Sequence, residues 1–347
     1  MSFKEIVGHK RPIAILQRAI AGGRLPSVYL FEGPDGIGKR LVALNLAKAV
    51  NCEGKVGPDG CDSCLPCQKI DKGIHPDVSV IEPQASSPKT EPSLKIEQAR
   101  EAQRDISLKP WEGRKKVYIF DQAEKMTEPC ENALLKTLEE PTGEALLILL
   151  TSSPYSLLPT VLSRTQRIRF NALPPGELSS YLMKARSWDK ERAHFVASLT
   201  GGSLGRSLRA EAEDLFSLRD EVIADLASVL QGGTCQTLNL AESWVKDKDR
   251  LSERLHYLLI WVRDLGIYRS TKQGALLVNC DRGDRIREEA ESFSCKVITR
   301  FFAIIQETIQ AISRYANPRL SLECMFIRMR SALQPREEIT YAHRGED

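Results

Sequence analysis

Gly33, Gly36, Gly38 and Lys39 have the types and spacing of a loop that binds phosphate. They fit the template G-x-x-x-x-G-K-[ST] up to its last position, where Arg40 replaces the hydroxyl residue that holds Mg²⁺. The backbone N–H groups of such a loop point into one concavity, and the following helix adds its positive dipole end. Lys39 would add a charge for the outer phosphates, whereas a guanidinium cannot ligate a metal and repels one. These five residues predict a degenerate ATP or ADP site that holds Mg²⁺ poorly; the alternative is a glycine-rich turn without a ligand.

Four cysteines follow within sixteen residues and form a second chemical cluster. Cys52, Cys61, Cys64 and Cys67 have the spacing C-x8-C-x2-C-x2-C, which four thiolates need to close a tetrahedral site. We therefore predict structural zinc here, with an iron–sulfur cluster or two disulfides as the alternatives. Four protein ligands leave no position for water, so this metal would stabilise the fold rather than catalyse. The other cysteines are expected to be small core residues: Cys130, Cys235, Cys280, Cys295 and Cys324.

Two further segments carry side chains that suit phosphate chemistry. The apolar strand predicted over Val117–Asp121 ends in a carboxylate, which is the form of an element that delivers an aspartate to a metal-bound phosphate. The next residue is Gln122, which lacks the basic oxygen needed to polarise an attacking water. Ser152 follows the apolar strand predicted over Ala145–Leu150 and could sense a γ-phosphate, or could simply cap a polar turn.

The predicted elements that position these residues alternate along the chain. Strands alternate with helices over residues 1–170, which predicts a doubly wound parallel sheet. One of these helices is expected over Glu128–Glu140, stopped by Pro141. We predict an α/β domain at 1–170 with the metal module at 52–67 inserted, a small helical lid at 171–207, and an all-helical domain at 208–347. Apolar stripes at helical spacing mark the bundle core in that last region.

Composition and charge narrow the class of protein further. The chain has 347 residues, of which 42% are apolar, and a net charge of only +3. That charge is too small to indicate nucleic-acid binding, so any contact with DNA would need a local basic patch. No stretch reaches membrane-spanning length and the amino terminus lacks the apolar core of a leader peptide. We therefore expect a cytoplasmic protein that does not contact a membrane.

Taken together, these motifs resemble the clamp-loader branch of the AAA+ ATPases over almost the whole chain. The most specific features are the cysteine cluster after the phosphate-loop helix and the segment 132–141, followed by Ser163-Arg164 and by the segment 316–323. The resemblance implies an α/β AAA+ P-loop domain with an inserted four-cysteine zinc module, a helical lid domain and an all-α collar domain. It also implies that Arg164 is an arginine finger for ATP bound by the adjacent subunit, although Thr165 replaces the cysteine usual in that motif.

The resemblance also implies which chemistry has been lost. The metal-binding hydroxyl is replaced by Arg40, the water-polarising acid by Gln122, and the sensor arginine of the lid by Gly205, whereas Arg164 is kept. We therefore expect a non-hydrolysing stator of the DNA polymerase III clamp loader. It would assemble with gamma/tau and delta subunits in a hetero-pentameric ring that loads the beta sliding clamp onto primer-template DNA. The alternative is an active gamma/tau-type ATPase, and a free zinc-dependent nucleic-acid-binding protein is excluded because residues 52–67 carry more acidic than basic side chains.

Overall fold

The computed structural model describes residues 2–54, 57–85, 87, 90–140, 144–209 and 212–333, without the side chains of 212, 213, 248 and 249. The chain divides into two compact units. The described residues of the first unit fall within 1–193 and 197–209, and those of the second fall within 194–196 and 210–347. The predicted division of the first part into a domain at 1–170 and a lid at 171–207 stays a prediction.

A five-stranded parallel sheet forms the centre of the first unit. Its strands are β1 (Val28–Glu32), β2 (Val78–Ile81), β3 (Lys116–Phe120), β4 (Ala145–Thr151) and β5 (Gln166–Arg169), in the spatial order β2-β3-β4-β1-β5. Every neighbouring pair is parallel, so the carboxyl ends of all five strands lie at one edge. The apolar runs fit this arrangement because strands of a parallel sheet are covered on both faces.

Helices cover both faces of the sheet. Alternate strand residues point to opposite faces, so each strand contributes to two hydrophobic cores. Phe31 and Ile148 pack with residues of the first two helices, whereas Leu30 and Leu149 pack with residues of the fourth and fifth. The helices up to residue 209 are α1 (Lys10–Ala21), α2 (Lys39–Asn51), α3 (Leu65–Asp71), α4 (Ile96–Ile106), α5 (Glu128–Glu139), α6 (Pro159–Leu162), α7 (Pro175–Arg186), α8 (Lys190–Leu199) and α9 (Leu204–Arg209). The predicted doubly wound parallel sheet is confirmed.

The predicted ends of individual strands and helices are close to those in the structure. Asp121 was expected to end a strand and instead follows β3 directly, since that strand ends at Phe120. The helix expected to end at Glu140 ends at Glu139, and its predicted stop, Pro141, lies outside the described residues.

The second unit is helical over its described residues. Its longer helices are α10 (Ala212–Gln231), α11 (Thr234–Lys246), α12 (Lys248–Thr271), α13 (Gly283–Ser292), α14 (Cys295–Ser313) and α15 (Pro318–Ser331). The predicted stripes supply much of its core, with Leu258 and Val262 of α12 and Phe301 and Ile305 of α14 almost fully buried. The predicted helical C-terminal region is therefore confirmed. Among the described residues, no helix is long and apolar enough to cross a membrane.

The expectation for the scattered cysteines is only partly right. Cys130 is buried against the sheet, but the prediction is wrong for Cys235, Cys295 and Cys324, which are exposed. These three residues lie on solvent-facing positions of their helices, where the size of a side chain is not constrained by packing.

Candidate functional site

The phosphate-type loop connects β1 to α2 at the edge where the strands end. Gly33 and Gly38 have φ values of 152° and 108°, which favour glycine. A Cβ atom at Gly33 would lie 2.2 Å from the carbonyl oxygen of Phe170. Glycine is therefore required for the close approach of the loop to the chain that follows β5.

Lys39 is folded back onto its own loop. Its Nζ donates to the carbonyl oxygens of Gly33 at 2.6 Å and Pro34 at 2.8 Å, and the residue is only 8% exposed. Burial lowers the pKa of Lys39, and the neighbouring carboxylates of Asp35, Glu124 and Asp121 oppose that shift. Two of the three N–H donors of the Lys39 ammonium group are therefore hydrogen bonded to the loop itself.

Arg40 forms an ion-pair cluster with the two carboxylates that follow β2 and β3. Its NH1 lies 3.3 Å from Oδ2 of Asp121 and contacts Oε1 of Glu82. The other oxygen of Asp121 accepts the backbone N–H of Gln122 at 3.0 Å. The aspartate predicted to serve a metal-bound phosphate therefore has a guanidinium beside it. A divalent cation at Asp121 would have to displace or tolerate that charge.

Ser152 is also hydrogen bonded within the protein. Its hydroxyl donates to Oε1 of Glu124 at 2.5 Å, and its N–H donates to Oε2 at 3.3 Å. Burial would raise the pKa of Glu124, but hydrogen bonds from Ser152 and Thr151 hold that pKa below its usual value. The glutamate is therefore ionised and holds the hydroxyl that was predicted to sense a γ-phosphate.

These side chains line one cavity of about 560 Å³, which contains most of the predicted nucleotide-binding residues. Its charged lining is balanced, with four basic and four acidic side chains: Lys39, Arg40, Lys125 and Arg209 against Asp35, Glu82, Asp121 and Glu124. The predicted residues that line it are Gly36, Gly38, Lys39, Arg40, Asp121 and Ser152. A balanced lining attracts a polyphosphate less than a basic one would.

The start of α9 lies against the tip of the phosphate loop. The N–H of Gly205 donates to the carbonyl oxygen of Gly36 at 2.8 Å, and the hydroxyl of Ser203 donates to that of Asp35 at 3.1 Å. A Cβ atom at Gly205 would itself lie 2.8 Å from the oxygen of Gly36. The packing therefore leaves no space for a sensor arginine at position 205 in this arrangement.

The four clustered cysteines converge as their spacing predicts. Their sulfur atoms all lie within 4.8 Å of one another, and Sγ of Cys52 and Cys64 are 3.9 Å apart. Tetrahedral zinc with Zn–S bonds of ~2.3 Å would need sulfur separations of about 3.8 Å. Backbone N–H groups of Cys61 and Cys64 donate to neighbouring sulfurs at 3.4 and 3.2 Å, as suits thiolate ligands. The donor set and its spacing therefore fit one metal ion.

The cysteine module is attached to the helix that follows the phosphate loop. Lys48 of α2 is 1% exposed, and its Nζ lies 2.8 Å from Asp62 and 2.5 Å from Asp71. Asp59 accepts the backbone N–H of Phe3 at 3.1 Å. The module thus contacts both α2 and the amino-terminal segment, as expected of an element that stabilises the fold.

Arg164 does not line the cavity and lies two residues after the end of α6. Its NH2 lies 2.6 Å from Oε1 of Glu139, and its NH1 donates to the carbonyl oxygen of Thr160 at 2.9 Å and to Ser163 Oγ at 3.3 Å. The side chain is 34% exposed. The guanidinium is therefore oriented by its own unit and still reachable from solvent.

Sequence reasoning missed the acidic partners of Arg40, Ser152 and Arg164, which are Glu82, Glu124 and Glu139 respectively. Glu82 had a signal in the sequence, because it directly follows the short run 78–81 that forms β2 and so lies at the edge where the phosphate loop lies. Glu124 and Glu139 carry no comparable signal, since each acts through a partner in a distant part of the chain.

The chain therefore has the fold of a P-loop α/β protein, with an incomplete phosphate loop and an inserted four-cysteine cluster. A helical C-terminal region follows this α/β part. Known proteins narrow this class of P-loop protein. A family model described as "DNA polymerase III, delta subunit" matches residues 8–174, and one described as "DNA polymerase III, delta subunit, C terminal" matches residues 213–331. The chain is 32% identical to DNA polymerase III subunit delta' of Bacillus subtilis, covering 74% of this chain and 76% of that protein.

A second delta' subunit, from Pseudomonas aeruginosa, is 33% identical and is covered over 67% of its length by 64% of this chain. The tau subunit of Escherichia coli is 32% identical over 64% of this chain, but only 33% of that longer protein is matched. The chain therefore belongs to the family of DNA polymerase III delta' subunits. The clamp-loader resemblance and the subunit role implied by the sequence are confirmed at the level of the family.

Proposed function

We propose that this chain is a non-hydrolysing subunit of a clamp loader that donates Arg164 to ATP bound by an adjacent subunit. The observation that carries the proposal is the position of Arg40, whose guanidinium lies 3.3 Å from Asp121 and also contacts Glu82. Phosphoryl transfer depends on charge stabilisation by a metal bound at such a carboxylate. The guanidinium neutralises the carboxylates and can donate hydrogen bonds to a phosphate, but it cannot coordinate phosphate oxygens and carboxylates together as Mg²⁺ does.

The other parts of the same cavity support this interpretation. Gln122 takes the position of the water-polarising acid, and Gly205 leaves no space for a sensor arginine. Each of these features alone would slow hydrolysis, and together they disfavour the alternative of an active gamma/tau-type ATPase. The cavity still has room for ATP or ADP, so metal-independent binding remains compatible with the proposal.

The proposal for Arg164 rests on its exposure and its chemistry. Its guanidinium is planar, always charged and 34% exposed, which suits stabilisation of a phosphoryl group presented by another subunit. We further propose that the chain assembles with gamma/tau and delta subunits in a five-membered ring. That ring would place the beta sliding clamp on primer-template DNA.

We propose zinc as the metal of the four-cysteine module. Thiolate ligands in a closed tetrahedral set favour Zn²⁺, which needs no open coordination position for a structural role. When bound, the metal would cross-link the segment 52–67 and so hold it against α2 and the amino-terminal segment. Its contribution would be to stability, because the ligands lie apart from the cavity beside Arg40.

The test compares the isolated chain with the assembled complex. Alone, the chain is expected to show negligible Mg²⁺-dependent ATP turnover, while its addition to the ATPase subunits should stimulate theirs. The Arg164→Ala variant should enter the complex but fail to stimulate it. Turnover by the isolated chain at the rate of a competent ATPase subunit would contradict the proposal, and so would full stimulation by Arg164→Ala.

A further inference from the structure

The segment that carries Arg164 is fixed to α5 at both of its ends. Before α6, the N–H of Leu158 donates to Oε2 of Glu131 at 2.8 Å, and Glu131 is 4% exposed. After α6, Arg164 lies 2.6 Å from Glu139. Both carboxylates belong to α5, so this one helix sets the position of the short helix and of the guanidinium behind it.

The contacts of Arg164 divide into two kinds. Thr160 and Ser163 belong to its own segment and hold NH1, so they move with the arginine. Glu139 comes from a different helix and faces NH2. Half of the Glu139 side chain is exposed, so the ion pair lies at the surface, where another anion can reach it.

We infer that Glu139 is a positioning residue: it is the counter-ion that holds Arg164 until a phosphate group of ATP on the adjacent subunit takes its place. This inference rests on the proposed role of Arg164 as a finger acting in trans. A carboxylate and a phosphate both accept hydrogen bonds from the N–H groups of a guanidinium, so they compete for NH2 of Arg164. The exchange makes or breaks no covalent bond and moves no proton.

The partly exposed ion pair has the strength that such an exchange needs. A surface ion pair of this kind contributes little free energy, so a phosphate can displace the carboxylate. Removing the pair should favour the contact between Arg164 and the phosphate by about two- to fivefold. The pair would keep the arginine oriented before assembly. The pair would also raise the ATP concentration needed for Arg164 to contact the ATP that the adjacent subunit binds.

Glu140 provides a matched control for Glu139. It is the next residue, it is exposed, and it forms no ion pair with any residue in the described ranges. Glu139→Gln and Glu140→Gln therefore make the same change in charge and nearly the same change in shape. Only the first removes an ion pair with Arg164.

The experiment measures steady-state ATP hydrolysis by the assembled complex as a function of ATP concentration. It uses Glu139→Gln and Glu140→Gln, each with Arg164 and with Arg164→Ala. With Arg164 present, Glu139→Gln should lower the half-saturating ATP concentration about two- to fivefold relative to Glu140→Gln. With Arg164→Ala, the two glutamate variants should be indistinguishable, which a merely structural role of Glu139 would not produce.

The outcomes separate this inference from the proposed function. Equal curves for the two glutamate variants, together with loss of activity in Arg164→Ala, would overturn the role of Glu139 and keep the finger. A higher half-saturating concentration in Glu139→Gln, or an Arg164-dependent fall in its maximal rate, would also overturn it. Unchanged hydrolysis in Arg164→Ala would instead remove the finger itself.

Discussion

Replacing Arg40 with serine tests whether the guanidinium is what excludes Mg²⁺ from this cavity. In the Arg40→Ser variant, Asp121 and Glu82 lose their cationic partner and a hydroxyl enters the position that normally ligates the metal. The variant should lose little stability. The side chain of Arg40 is 47% exposed, and such surface pairs contribute at most about 1 kcal/mol.

The expected gain in metal-dependent binding follows from the distances. Mg²⁺ bound to Asp121 at ~2.1 Å would stand roughly 4 to 5 Å from the guanidinium charge. Repulsion between charges of +2 and +1 at that separation is about 2 kcal/mol in water and about 7 kcal/mol at an effective dielectric constant of 20. Because Arg40 is half exposed, the lower value applies, and it corresponds to roughly 30-fold in affinity.

Isothermal titration of the full chain with ATP, with Mg²⁺ and with EDTA, measures this effect. In Arg40→Ser, Mg²⁺ should strengthen ATP binding by about 30-fold. In the wild type and in the charge-retaining variant Arg40→Lys, Mg²⁺ should bring no gain. If the wild type binds Mg²⁺–ATP as tightly as Arg40→Ser does, the guanidinium does not exclude the metal and the reasoning is wrong.

Three further predictions concern the stability of the first unit. Cys67→Ser should release about one zinc per chain, measured by metal analysis, and lower the Tm by at least ~5 °C, measured by calorimetry. The control Cys235→Ser, which replaces an exposed cysteine, should change neither the zinc content nor the Tm. Lys48→Met removes the buried cation that Asp62 and Asp71 contact, and it should lower the free energy of unfolding in urea by about 2 kcal/mol. An unchanged free energy of unfolding would show that these ion pairs do not stabilise the protein. Burial lowers the pKa of His75 in the folded protein below the usual histidine value of 6.5. Near that pH the unfolded chain therefore binds more protons than the folded protein, so the free energy of unfolding should fall as the pH drops through 6.5. The slope contributed by one histidine is at most ~1.4 kcal/mol per pH unit, and His75→Gln should reduce it in urea titrations between pH 7 and 5.5.

Local patterns were enough to predict the elements that position the cavity. The apolar runs at β1, β3 and β4 identify a buried parallel sheet because such strands are covered on both faces. The spacing of the four cysteines predicts their convergence, because short steps between them bring the sulfur atoms to one place. Both kinds of signal lie within about sixteen residues of sequence, where chain geometry leaves few alternatives.

The partners of the charged residues could not be predicted in the same way. The sequence shows that Arg40 cannot ligate a metal, but not that it reaches Glu82 and Asp121, which are 42 and 81 residues further along. The contact between Gly205 and Gly36 likewise depends on how α9 approaches the loop. Such pairings are set by the tertiary arrangement, and an exposed charge has many neighbours that would satisfy it equally well.

The most direct test of the account is a single-turnover measurement of ATP hydrolysis by the complex assembled with Arg164→Ala. Arg169→Ala, which removes an exposed arginine from the same region, is the control. The account predicts that, with Arg164→Ala, one class of ATP sites hydrolyses at least ~100-fold more slowly, while Arg169→Ala leaves every phase unchanged. Identical time courses for the wild type and Arg164→Ala in an intact complex would contradict the claim that this chain serves phosphate chemistry on its neighbour.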